Sequence, residues 1–132
     1  MFVRFASADD RGHARNHQTT APSWEWVETH IAHLDGRTKT TVTLAPSSEM
    51  DCHMCVSGQW DGKFMVYFTE NNVEFISLID PGGSATKTYL FVGGQDGEFE
   101  ERKCVPESWA LQAARYYFDH GKMNPSLTWE RD

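Results

Sequence analysis

Apolar residues recur along this chain at two different periods, and the change of period separates helices from strands. Trp24, Val27, Ile31 and Leu34 fall three, four and three apart, which is one stripe of an amphipathic helix. Ser23 suits its N-cap, Glu25 and Glu28 sit near the positive end of the dipole, and Gly36 after Asp35 supplies a stop. The face carrying Glu25, Glu28 and His33 is then the wet one. From Thr40 the period shortens to two. Thr40–Leu44 is β-branched and ends at a turn marked by Pro46, and Cys52–Gln59 is a second, weaker strand. Asp61-Gly62 is a hairpin turn signal. Lys63–Thr69 follows with Phe64, Val66 and Phe68 on one face, and Asn71-Asn72 turns the chain again. Val73–Ile79 places Val73, Phe75 and Ile79 together. Pro81-Gly82-Gly83 is a loop, Thr88–Val92 a strand with Leu90 and Val92 opposite Tyr89 and Phe91, and Gly93-Gly94 breaks it before a further strand at Glu98–Lys103.

The helical period returns after Pro106, which suits a first turn with Glu107 beside it. Ala110, Ala114, Tyr117 and Gly121 line one side, flanked by Leu111 and Phe118, and the alanines let this helix sit close to a sheet. Gly121 and Pro125 stop it, and Leu127–Glu130 returns as a short strand. The segment SADDRGHARNHQTTAP (7–22) has no period. Residues 1–22 therefore read as an arm, flexible or adding one edge strand at Met1–Phe5, and residues 23–132 as a single domain. Tight turns between consecutive strands imply antiparallel pairing. The expected class is α+β: a mostly antiparallel sheet of about six strands with two helices packed on one face. Met65 and Tyr67 oppose Phe64, Val66 and Phe68, so the second face keeps aromatics exposed unless something else covers it.

Composition sharpens this picture in two respects. With 132 residues, 5 Trp, 4 Tyr and 8 Phe, the chain can bury a core without staples. Its net charge is −7, and residues 1–22 hold three Arg against two Asp, so the acidic excess lies wholly in the domain. Such a surface repels phosphates and suits a basic protein partner, which excludes nucleic acid as the ligand. Three cysteines, no secretory signal and no apolar run of membrane-spanning length point to a reduced, cytoplasmic protein away from membranes.

Candidate chemistry is sparse. Cys52-His53-Met54-Cys55 has the spacing of a zinc or redox pair, but no second CxxC follows and no helix begins there. In a strand the two thiols point to opposite faces, and both read as structural. His30 with His33, and His13 with His17, lack the carboxylate of a rigid metal motif and read as surface residues. No metal or cofactor is implied. Paired hydrolytic carboxylates, a GxSxG elbow, a phosphate loop and the zinc-deaminase pattern are absent, so the chain is not expected to be an enzyme. Asp96, Glu98 and Glu100 are different: on an extended strand they point one way, about 6–7 Å apart, near the spacing of successive phosphates. Together with Asp61 they can meet Arg and Lys of a partner, with Trp60, Tyr67 and Tyr89 as apolar anchors.

The C-terminal third carries a further signature: Val105-Pro106-Glu107-Ser108, a helix with Ala113-Ala114 and Tyr117-Phe118, then Gly121, Pro125, Leu127 and Trp129-Glu130. It resembles the bacterial immunity proteins encoded beside deaminase toxins, including those acting on cytosine in double-stranded DNA, in which an aromatic-ended helix leads to a Pro-x-Leu-x-Trp tail. Leu34-Asp35-Gly36 before the Thr40–Leu44 strand, and Phe91-Val92-Gly93-Gly94, look similar too. The resemblance covers roughly residues 24–130, is most specific in the last 26 or so, and leaves out the arm and the CxxC. It implies an antitoxin with no catalytic residues that covers the active site of a cognate toxin, a nucleic-acid deaminase with a basic cleft. The residues alone leave two other readings open, a small-ligand-binding domain and a homodimeric scaffold using the aromatic sheet face. A monomer is expected under the immunity reading.

Overall fold

The computed structural model describes residues 2–11, 15–92 and 95–132, and of residues 15, 91, 92, 95 and 96 it describes the backbone alone. The chain runs β1 (Phe5–Asp10), β2 (Arg15–Thr19), α1 (Trp24–Ala32), β3 (Thr41–Ala45), β4 (His53–Trp60), β5 (Lys63–Thr69), β6 (Phe75–Ile79), β7 (Lys87–Val92), β8 (Gln95–Glu100), β9 (Val105–Pro106), α2 (Glu107–His120) and β10 (Thr128–Arg131). The main sheet has the order β10-β6-β5-β4-β3-β1-β2, with β9 also paired to β5. All its pairings are antiparallel. β7 and β8 form a separate two-stranded hairpin. Both helices join one core with one face of the sheet. The α+β class follows, with eight strands in the main sheet where about six were expected.

The extra strands come from the arm and from Val105-Pro106. Residues 1–22 supply the β1–β2 hairpin, with β1 inside the sheet against β3. Hydropathy missed it because Ser7, Asp9 and Asp10 interrupt the alternation. Asp9 explains why they are there: its carboxylate accepts from the backbone N–H of Thr40 and Thr41 and from the Thr40 hydroxyl, pinning the arm to the start of β3.

Alternation along β4 and β5 sorts the two faces. Met54, Val56, Phe64, Val66 and Phe68 point to the helices and are buried. Ala110, Ala113, Ala114 and Tyr117 of α2 have no exposed surface, so the helix packs with its backbone near the sheet. Each large apolar side chain fully buried here contributes about 1.5–3 kcal/mol. Gly121 takes the left-handed conformation that ends α2, at φ 70°. α1 ends earlier than its stripe, at Ala32, because the backbone N–H of Leu34 bonds Ile31 in a tighter turn. On β6, Phe75 and Ile79 share a face as expected, and it is the face away from the helices. Ile76 and Leu78 join the helix-side core, whereas Phe75, Ser77 and Ile79 lie on the other face. Val73, expected on the strand, is 76% exposed. Asn71 Oδ1 accepts from the N–H groups of Val73 and Glu74, each at 2.9 Å, so the turn runs through Glu74 before β6 begins. The expected break at Gly93-Gly94 lies outside the described residues.

The face away from the helices is not an aromatic platform. One rung crosses all seven paired strands as Gln18, Ser7, Thr43, Cys55, Tyr67, Ser77 and Glu130. Most of these are small and polar. Apolar surface on this face gathers at one end, beside the β7–β8 hairpin.

Candidate functional site

The β4–β5 connection is a two-residue turn in which both Asp61 (φ 53°) and Gly62 (φ 75°) are left-handed, the geometry that Asp-Gly favours in hairpins. Gln59 Oε1 accepts from the Gly62 N–H at 2.8 Å and stiffens it. This turn and the β7 side of the hairpin enclose a cleft of about 650 Å³. Trp60, Asp61, Lys63, Asp80, Tyr89 and Glu101 line it, with Ser84, Leu90 and Cys104. Three carboxylates thus share the recess with one ammonium, a local excess of negative charge. Charges in such a recess act more strongly on an approaching cation than the same charges on a convex surface.

Trp60 forms part of the cleft wall while its indole N–H is buried with no hydrogen-bond partner among the described residues. The ring lies against Gly36, which takes φ +72° and donates its N–H to Gly58 O at 2.9 Å. A Cβ on Gly36 would stand 2.5 Å from Gln59 O and 3.1 Å from Trp60 Nε1, so only glycine fits. The loop is held by Asp35, whose Oδ1 accepts from the N–H groups of Arg37, Thr38 and Lys39 at 2.8, 2.9 and 3.0 Å. Burial works against the Asp35 carboxylate, but these bonds and the Thr38 hydroxyl overcome it and hold the group below the usual carboxylate range.

Tyr89 is 71% exposed and stands opposite Glu98 in the β7–β8 ladder, where Glu98 is exposed too. Of the seven residues expected to contact a partner, Trp60, Asp61 and Tyr89 line the cleft and Glu98 adjoins Tyr89. Glu100 is otherwise engaged: Arg102 bonds its carboxylate and, through both terminal nitrogens, that of Glu130. This clamp fastens the base of the hairpin to β10, and Arg102 holds the Glu130 carboxyl below its ordinary pKa. Asp96 pairs in register with Phe91, and its side chain lies outside the described residues.

Tyr67 sits elsewhere, on the sheet face beneath the hairpin. His53 Nδ1 lies 2.7 Å from the Met50 carbonyl and so carries the proton, which leaves Nε2 to accept from the Tyr67 hydroxyl at 2.9 Å. Burial first, and then the neighbouring Cys55, push the Tyr67 phenol up. Beside it is a second cavity of about 350 Å³. Its floor is Met65, Tyr67, Phe75, Ser57 and Ser77, and its far side holds Phe99 of β8 with Lys103 and Asp132.

The thiols take no part in either recess as a pair. Cys52 Sγ lies 3.5 Å from the Tyr117 hydroxyl on the helix side, and Cys55 Sγ lies 3.7 Å from Ser57 Oγ on the opposite face. Burial pushes the Cys55 thiol up, away from thiolate reactivity. Among the described residues no three His, Cys, Asp or Glu converge on a metal-sized site. His30 stacks on Trp26 at 3.8 Å and bonds its carbonyl, His17 approaches Asp10, and His13 lies outside the described residues. No helix among the described residues is long and apolar enough to cross a membrane.

Sequence reasoning missed Asp80, Glu101 and Lys63 in the cleft, and Phe75, Phe99, Lys103 and Asp132 in the cavity. Alternation along β6 could not place Phe75 on the open face, since Ile76 and Leu78 form an equally apolar set. Nothing local ties Phe99 or Asp132 to β5. No curated protein matches the chain. The family model for Immunity protein Imm1 matches residues 15–131, a span that takes in every element from β2 to β10. The match covers most of the chain, and the chain belongs to the Imm1 family of immunity proteins.

Proposed function

We propose that this protein is the cytoplasmic antidote to a deaminase toxin and works by covering the basic active-site cleft of that toxin, without chemistry of its own. The observation that carries the reading is the acidic cleft beside the β4–β5 turn. Asp61, Asp80 and Glu101 converge there, with the exposed ring of Tyr89 and the carboxylate of Glu98 at the rim. An enzyme that handles nucleic acid concentrates Arg and Lys around its substrate path, and a recess of carboxylates complements that field. The deaminase assignment rests on the aromatic-ended α2 and the Pro125, Leu127, Trp129 tail. Immunity is the function class of the family itself.

Contact through Trp60, Asp61, Tyr89 and Glu98 places charge at the edge and aromatic area at the centre, the arrangement in which a few anchors dominate affinity. Tyr67 joins the same contact where the toxin reaches around the hairpin. Glu100 contributes indirectly, by holding the hairpin through Arg102. The test is co-purification of the tagged protein with the toxin encoded beside it, followed by a DNA deamination assay with and without the protein. A one-to-one complex that abolishes deamination supports the reading. A complex that blocks a different toxin activity refutes the deaminase assignment, and absence of both complex and protection refutes the immunity reading.

A further inference from the structure

We infer that the cavity beneath the β7–β8 hairpin is a socket for one Trp or Tyr side chain of the partner toxin, an inference that rests on the toxin-binding reading above. The starting observation is an asymmetry of burial. On the helix side of β5, Phe64, Val66 and Phe68 are covered. On the other side Met65, Tyr67, Phe75 and Phe99 surround a recess of about 350 Å³ and each remains partly exposed. Its size is at the small end of the range for ligand pockets, suited to one ring system.

The chemistry of the walls favours an aromatic ring over an aliphatic chain. Tyr67 and Phe75 meet edge to face, with centroids 5.4 Å apart, and a further ring extends that packing. The Met65 thioether adds a sulfur contact of the kind that favours aromatic neighbours. The polar groups select among rings. Lys103 Nζ and the Ser77 hydroxyl both bond Asp132, at 3.0 Å each, so the carboxylate is fixed beside the recess with acceptor capacity to spare. An indole N–H or a phenol O–H can donate to it, whereas a Phe or Leu occupant leaves that capacity unused.

Charge identifies the source of the ring. The acidic cleft opens on the β7 side of the same hairpin, lined by Asp61, Asp80 and Glu101. A partner drawn in by that cleft presents basic residues there, and a neighbouring aromatic on its surface reaches the recess on the β8 side.

The experiment measures toxin affinity and inhibition for wild type, Met65→Trp, which fills the recess from its floor, and Phe99→Ala, which removes its far wall on a hairpin outside the main sheet. Indole is titrated against the same three proteins, and melting temperatures are recorded. The expected result is that indole binds wild type alone and that each variant binds toxin at least about 30-fold more weakly with its melting temperature preserved. If wild type neither binds nor inhibits the toxin, the immunity reading fails and this inference with it. If wild type inhibits and either folded variant binds toxin within about threefold of it, the socket is refuted while the immunity reading stands. Loss of indole binding with toxin affinity intact likewise overturns the inference, since it marks the recess as a small-molecule site.

Discussion

Removing the Asp35 carboxylate tests how the cleft wall is supported. In Asp35→Ala, the N–H groups of Arg37, Thr38 and Lys39 lose their acceptor together, and so does the Thr38 hydroxyl, 2.7 Å from Oδ2. The site is exposed, so water replaces part of what is lost, and a single helix cap of this kind is worth about 0.5–2 kcal/mol. Three backbone donors place the expected loss in the upper half of that range, about 1–2 kcal/mol, or roughly 3–10 °C in melting temperature for a domain of this size. The pH dependence has a definite sign. Asp35 titrates lower in the folded protein than in the unfolded chain, against the opposing effect of its burial. Its contribution is therefore complete above the unfolded value of about 3.9 and is lost as the pH falls through the folded value. Urea unfolding of wild type and variant at pH 7, 5 and 3 checks both parts. The gap between the two proteins should be the same at pH 7 and 5 and begin to shrink below about pH 4. A gap under about 0.3 kcal/mol at pH 7, or one that widens on acidification, refutes the assignment.

Four further perturbations probe neighbouring features. Gly36→Ala combines a left-handed residue with a Cβ at 2.5 Å from the Gln59 carbonyl, and chemical denaturation should show a loss of about 2–4 kcal/mol. Ala113→Leu forces bulk between α2 and the sheet, where Ala113 has no exposed surface, and should cost about 1–3 kcal/mol and speed proteolysis. Asp61→Lys with Glu98→Lys should slow toxin association about tenfold or more at low salt while dissociation changes by less than about threefold, as stopped-flow mixing will show. Glu100→Gln, whose partner is the internal Arg102, should leave that association rate unchanged and lower the melting temperature instead.

The parts legible in the sequence were those governed by local rules. Asp61-Gly62 selects its turn from backbone preference alone, and the alanine stripe of α2 needs only the helical period. Gly121 ends that helix where its φ of 70° is affordable only without a side chain clash. What escaped depends on partners distant in the chain. Asp9 and Asp10 look like loop residues until Thr40 is seen to require the Asp9 carboxylate, 31 residues away. Phe75 and Ile76 are equally apolar, so period alone cannot say which meets the helices. The register against β5 settles it, by setting Ser77 opposite Tyr67 and Phe75 opposite Thr69. Glu98 and Glu100 share one strand face and looked equivalent, yet Arg102 takes only Glu100 out of circulation. The same limit applies to the cleft, whose carboxylates come from the β4–β5 turn, the end of β6 and the turn after β8.

Placing β7 and β8 outside the main sheet creates both recesses at once. A hairpin paired into the sheet would present one face to solvent and bury the other. Held at its base by Arg102, it borders the acidic cleft with Tyr89 on one side and closes an aromatic-lined cavity with Phe99 on the other. In the toxin-binding reading proposed above, the two sides would serve different parts of recognition. Carboxylates act at a distance and set the encounter rate, whereas a ring seated among Tyr67, Phe75 and Phe99 must be withdrawn before the complex separates. Because β7 and β8 pair only with each other among the described strands, substitutions at Tyr89, Glu98 and Phe99 should leave the packing of α2 on β4 and β5 intact. Under the proposed reading, specificity for one toxin would be rewritten at those three positions while Ala113, Ala114 and Tyr117 hold the fold.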